Sequence, residues 1–176
     1  MEWMFMPLKR YAEFSGRSRR KEYWMWTLFQ VLLYVAIMVV MMMVGGGAAA
    51  MGDPNAASAA GGAAIAVLAV YGLLVLAFFI PSIAVTVRRL HDTNRSGWWV
   101  LAPVIPYAVM ALAMGGALAS GTEGGIAAAG LVSLVAIVAV IGLGITLLVF
   151  MCLDGTPGPN RFGPDPKQRG HEEVFA

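Results

Sequence analysis

A chain of 176 residues has the length of one domain, but this one is 59% hydrophobic and 12% charged, against about 45–50% and about 25% in ordinary soluble proteins. That excess excludes a water-soluble fold of this size and calls for a bilayer to cover the outside. The net charge of +2 does not indicate nucleic acid, because the basic residues flank apolar runs, where membrane proteins ordinarily place them. The single cysteine, Cys152, excludes an intramolecular disulfide. His91 and His171 have no zinc-type spacing, so neither a metal nor a cofactor is expected.

In chain order, residues 1–22 form a polar and aromatic entry segment. Its residues 7–14 are expected as a short helix started by Pro7 and lying in the membrane interface. Ser15-Gly16 then turns the chain, and Ser18 is placed to cap the first span. A bilayer core of about 30 Å needs roughly 20 apolar residues in a helix. Four segments meet that length: Trp24–Val44, Ala63–Val87, Trp98–Ala119 and Ile126–Leu153. The first apolar run, about 20 residues, exceeds the usual 7–15 of a signal peptide and reads as a retained span. The expected fold is all-α: a polytopic protein with four transmembrane helices as two hairpins. A 23–153 membrane domain then lies between the 1–22 segment and a 154–176 tail rich in Gly and Pro.

All 12 Lys and Arg residues fall in three short segments. Six lie between Lys9 and Lys21, three between Arg88 and Arg95, and three between Arg161 and Arg169. The connecting segments 45–62 and 120–125 carry Asp53 and Glu123 but no basic residue. Positive-inside placement puts both termini and the 88–97 segment in the cytoplasm of a bacterial cell, as a multi-pass inner-membrane protein. Trp24, Trp26, Trp98 and Trp99 sit where an aromatic belt anchors the interface.

The two outer segments are rich in Gly and Ala and are expected as loops. Gly121 and Gly125 fit a small-xxx-small spacing but sit beside Glu123, so mid-span Gly142 and Gly144 are better placed for tight helix contacts. Pro81, Pro103 and Pro106 each remove a helix hydrogen bond and are expected to kink or break their spans. On composition, the run Asp154-Gly155-Thr156-Pro157-Gly158-Pro159 reads as a flexible exit from the membrane.

The polar chemistry lies on the three basic segments. Arg17, Arg20, Arg88, Arg89 and Arg95 are the candidate residues for holding an anion or an anionic lipid headgroup, since guanidinium binds such groups bidentately. The plainer reading makes them topology determinants. His91, Asp92, Asn160 and Asp165 are candidate members of a structural or ligand network. His91 and Asp92 adjoin in sequence, but neighbours on a helix do not face one another, and no nucleophile is placed beside them.

Three blocks, Phe14-Ser15-Gly16-Arg17-Ser18-Arg19-Arg20 with Tyr23-Trp24, Arg89-Leu90-His91-Asp92 with Arg95-Ser96-Gly97-Trp98-Trp99, and Gly158, Asn160, Phe162-Gly163 with Asp165-Pro166, resemble the signature blocks of the YhaH/YhaI-like bacterial inner-membrane family. That family carries a domain of unknown function. The resemblance implies a polytopic inner-membrane protein and an ordered tail, and it transfers no catalytic residue. The first functional expectation is a non-enzymatic module. Its basic cytoplasmic face would bind an anion, an anionic phospholipid or a partner protein, with a homo-oligomer or a membrane protein as candidate partners. An oligomeric channel or transporter is the alternative, with Gln30, Ser82, Thr86, Ser133 and Thr146 as the polar groups inside the spans. A lipid-phosphate enzyme using His91 and Asp92 is the third reading.

Overall fold

A computed structural model describes residues 2–51 and 54–168. Among the described residues five α-helices follow one another: α1 (Glu2–Lys9), α2 (Arg20–Met51), α3 (Pro54–Asp92), α4 (Val104–Ser120) and α5 (Glu123–Cys152). A 3-10 turn, Gly97–Leu101, precedes α4. No strand occurs among the described residues, only an isolated bridge between Asn160 and Gly163. Four stretches are long and apolar enough to cross a membrane: Arg20–Met43, Ala59–Asp92, Gly97–Ser120 and Glu123–Cys152.

The chain divides into two units. The first comprises residues 1–14 and 21–85. Its centre is aromatic: Trp26 packs edge-on against Phe78 at 5.4 Å, Phe29 contacts both, and Phe5 of α1 contacts Phe29. Polar groups there are spent on one another. Trp26 Nε1 and Gln30 Nε2 both donate to Ser82 Oγ, at 3.1 and 2.9 Å, and Ser82 donates back to Phe78 O. Trp26, expected at the belt, is only 1% exposed, whereas Trp24 is partly open.

Two expectations for this unit are corrected. The short N-terminal helix runs Glu2–Lys9 with Pro7 inside it, rather than starting at Pro7 and running to residue 14. The acidic Glu2 in its first turn suits the positive end of the helix dipole, and the apolar run Trp3 to Met6 extends the packing face upstream. The Gly- and Ala-rich residues 45–51 and 54–62 are helical rather than loop, while 52–53 lie outside the described residues. Ala is the strongest helix former, and once the apolar helix is nucleated each added residue gains a backbone hydrogen bond. Pro81 leaves α3 helical throughout. A proline there removes the N–H that would bond the carbonyl four residues earlier. That carbonyl, Ala77 O, instead accepts from the Tyr11 hydroxyl at 2.7 Å.

The second unit comprises residues 15–20 and 86–176. Here α4 and α5 pack on each other across a two-residue link. Gly121 closes α4 in the left-handed conformation at φ 61°, and Thr122 caps α5 by accepting from Gly125 N. Thus Gly121 and Gly125 serve caps. Gly142 and Gly144 have open space where a Cβ would stand, so within this chain they make no tight contact. Pro103 stands at the break of the third span between the 3-10 turn and α4, whereas Pro106 lies in the first turn of α4, where a missing N–H breaks nothing.

Candidate functional site around Asp92

The last turn of α3 carries Arg88, Arg89, Leu90, His91 and Asp92, and its end is built for a sharp stop. Asn94 takes φ 57°; its N–H donates to His91 O, and Arg95 N donates to Leu90 O. These two bonds are the reciprocal pair that satisfies the last carbonyls of a helix, with Asn in the place glycine usually takes. Ser96 then accepts from Trp98 N and starts the 3-10 turn.

Asp92 is 2% exposed and sits between two guanidinium groups. Arg17 Nε donates to Asp92 Oδ1 at 3.0 Å, and Arg17 Nη2 lies 2.9 Å from the same oxygen. Arg89 Nη1 binds Oδ2. The other guanidinium nitrogens donate to backbone carbonyls. Arg17 reaches Gly158 O at 2.7 Å and Thr156 O at 2.5 Å. Arg89 donates to Met151 O at 3.3 Å and to Leu153 O. Arg20 adds Cys152 O at 3.0 Å. Two arginines therefore cover three carbonyls at the C-terminal end of α5, where a helix leaves acceptors unsatisfied and its dipole favours cations.

The run from Asp154 onward is an ordered strap, as the resemblance implied and composition alone did not. Thr156 N donates to Asp92 O at 2.9 Å. Asn160 Nδ2 donates to His91 O at 2.9 Å and to Thr156 Oγ1 at 3.0 Å, while its Oδ1 accepts from Phe162 N. Asn160 and Gly163 exchange backbone bonds, and Asp165 Oδ1 accepts from Lys167 N. Arg19 Nε donates to Pro166 O at 2.7 Å. A Cβ on Gly155 would overlap the Asp92 carboxylate, so the strap closes over that group only with glycine there.

Residues 15–20 of the first block thus meet the other two blocks in the second unit. Arg17, Arg20, Arg89, His91, Asp92 and Asn160 are brought together, and Asp165 Oδ1 lies 4.0 Å from Arg17 Nη2. Arg88 is fully buried and accepts from Ser18 N through its carbonyl. Ser18 does not cap α2, which begins at Arg20; its hydroxyl is buried without a hydrogen-bond partner among the described residues. Arg95 stands apart, its guanidinium 3.9 Å from the Phe150 ring centroid. His91 and Asp92 look in different directions: His91 Nδ1 bonds Gly16 O at 3.2 Å, and its ring stacks on Phe162 at 3.9 Å.

Sequence reasoning missed Gly155, Thr156, Arg19 and Phe162. Gly155 acts by lacking a side chain and Thr156 largely through its backbone N–H, and composition carries no signal for either. The outer rim is charged and open. Arg20 and Lys167 share Asp154, at 2.7 and 3.0 Å, and Arg161 donates to Asn94 O.

No solved structure matches this chain. The inner membrane protein YhaH of Escherichia coli strain K12 is 36% identical over 167 residues, 95% of this chain and 98% of YhaH. The inner membrane protein YhaI of the same strain is 34% identical, over 95% of this chain and 97% of YhaI. Residues 11–164 match the family described as "Protein of unknown function (DUF805)". That stretch takes in the first two blocks around Asp92 and the third as far as Gly163, and the chain belongs to this family of unknown function, alongside the inner membrane proteins YhaH and YhaI.

Proposed function

We propose that this protein is a non-enzymatic inner-membrane module with both termini and the 88–97 segment on the cytoplasmic side. The Asp92 knot is its scaffold, and the open basic rim of Arg20, Arg161 and Lys167 is its binding face for an anion, anionic lipid or partner protein. The observation that carries the reading is that every guanidinium nitrogen of Arg17 and Arg89 is engaged. Their N–H groups already serve Asp92 and the carbonyls of the strap and of α5. A buried charge held this way is structural, because removing one partner strands the other in a dry site. The rim differs: the Arg20 and Asp154 side chains are 41% and 59% exposed, and pairs of that kind exchange readily for outside anions.

Two further observations support a non-catalytic, non-transporting module. His91 and Asp92 are engaged with separate partners, leaving no acid–base pair. Gln30 and Ser82 are bonded to one another rather than lining a polar path, and Thr146 donates to Gly142 O within its own helix.

The test is the triple variant Arg20→Gln, Arg161→Gln, Lys167→Gln. Each cation near an anionic surface contributes about 1 kcal/mol, so the triple is expected to weaken binding more than about tenfold. Retention of phosphatidylglycerol, binding of inorganic phosphate and crosslinking to membrane partners are the readouts. If all three match the parent protein, the reading fails.

A further inference from the structure

Arg95 differs from the arginines of the knot. Arg17, Arg20 and Arg89 each have a carboxylate partner. Arg95 has none among the described residues. Its guanidinium lies over the Phe150 ring, and Nη1 reaches Thr93 O at a long 3.4 Å. An aromatic face orients a guanidinium without neutralising it, leaving N–H groups and a full charge for an outside anion.

One residue further on, a groove of about 740 Å³ opens along the 3-10 turn and α4. Ser96 and Trp98 stand at its mouth, and Leu101, Ile105, Ala108 and Leu112 line its length. The tighter winding before α4 and the small side chain of Ala108 leave this trough where bulkier residues would fill it. Trp98 is 77% exposed at the mouth, the placement of an interfacial tryptophan. From Leu101 to Leu112 the trough runs roughly 16 Å at about 1.5 Å per residue. That is half of a bilayer core of about 30 Å, and so the depth of one leaflet.

A cation without a carboxylate, one residue before the Ser96 that lines a leaflet-deep apolar trough, is complementary to one class of molecule. We infer that the groove holds one acyl chain of an anionic phospholipid whose phosphate is bound by Arg95 and Ser96. The Ser96 hydroxyl accepts from Trp98 N and keeps its own proton to donate to a phosphate oxygen. The site deepens the proposed function by naming a ligand class, and it rests on that reading's placement of residues 88–97 at the inner boundary of the bilayer. It shares no residue with the basic rim. The trough between α4 and α5, lined by Ile105, Val109, Leu131 and Val135, carries no charged group and offers nothing for a headgroup.

The experiment is native mass spectrometry of the full chain released from bilayers containing phosphatidylglycerol and phosphatidylcholine. Arg95→Gln is expected to lower phosphatidylglycerol retention about fivefold, as one interfacial charge of about 1 kcal/mol implies, and to leave phosphatidylcholine unchanged. Ala108→Phe fills the trough and is expected to lower retention of both lipids. Phosphatidylglycerol bearing a photoreactive group on its acyl chain, applied to the unsubstituted protein, is expected to label the Leu101–Leu112 stretch. That arm holds even where a variant fails to fold. Unchanged retention in Arg95→Gln, labelling spread evenly over the four spans, or an Ala108→Phe variant that loses only self-association would each overturn the inference; the last result would assign the trough to a second copy. Loss in Arg95→Gln without loss in the rim variant leaves this site standing and removes the rim. The converse removes this site alone.

Discussion

At the scale of single residues, the account turns on what surrounds one carboxylate. Asp92 has both oxygens held by guanidinium groups and its backbone carbonyl held by Thr156, so it cannot shift to make room. Gly155→Ala pushes a methyl group into that fixed carboxylate. Overpacking of this kind costs about 1–3 kcal/mol, and the variant is expected to melt several degrees lower in detergent with its helix content intact. A melting temperature equal to the parent's would mean that the strap does not close over Asp92. Arg17, Asp92 and Asn160 stand out in sequence because these residue types in a patterned block are conspicuous, but sequence assigns Arg17 to an outside anion rather than to Asp92. The role of Gly155 was not legible, since a glycine needed for a missing Cβ looks like any other turn glycine. Nor was the burial of Arg17 and Arg89, because basic residues beside spans look alike whether they face water or a carboxylate.

At the scale of elements, hydropathy located all four spans, since runs near 20 apolar residues carry a strong signal. It misplaced their ends. Gly- and Ala-rich stretches have low hydropathy and high turn content on average, yet Ala favours helix once flanking turns are formed, and α2 and α3 run through them. Prolines illustrate the complementary limit. Pro103 stands where the third span breaks, whereas Pro81 does not break α3, because Tyr11 supplies the donor that the proline removes. Nothing in the local sequence of α3 announces a hydroxyl from residue 11. Tyr11→Phe leaves Ala77 O without that donor and is expected to destabilise the protein by about 1 kcal/mol, the net value of a typical hydrogen bond. Thermal unfolding beside the parent checks this, and hydrogen exchange should rise around residues 77–81. No change in either would mean that the bond contributes nothing in the bilayer.

At the scale of the whole molecule, the distribution of Lys and Arg makes a topological claim of its own. Single cysteines placed at residues 13, 94 and 168 in a Cys152→Ser background are expected to resist a membrane-impermeant thiol reagent in sealed inside-in cells. A cysteine at residue 122 is expected to react. Labelling of residue 94 from outside would reverse the assigned orientation. Residues 15–20 of the first basic segment also join the other two, in the second unit, around Asp92. The positive-inside rule makes a prediction about their side of the membrane, and the Arg17–Asp92–Arg89 geometry explains why they are patterned. The most direct measurement of that joining is a double-mutant cycle between Arg17 and Asp92, which are 75 residues apart in the chain. Arg17→Gln, Asp92→Asn and the double variant are each unfolded by heat or denaturant in detergent. A buried, hydrogen-bonded pair is expected to give a coupling energy within the range of about 0.5–3 kcal/mol found for directly interacting residues, toward its upper end. Effects of the two substitutions that add to within about 0.3–0.5 kcal/mol would contradict the account, because independent residues behave that way.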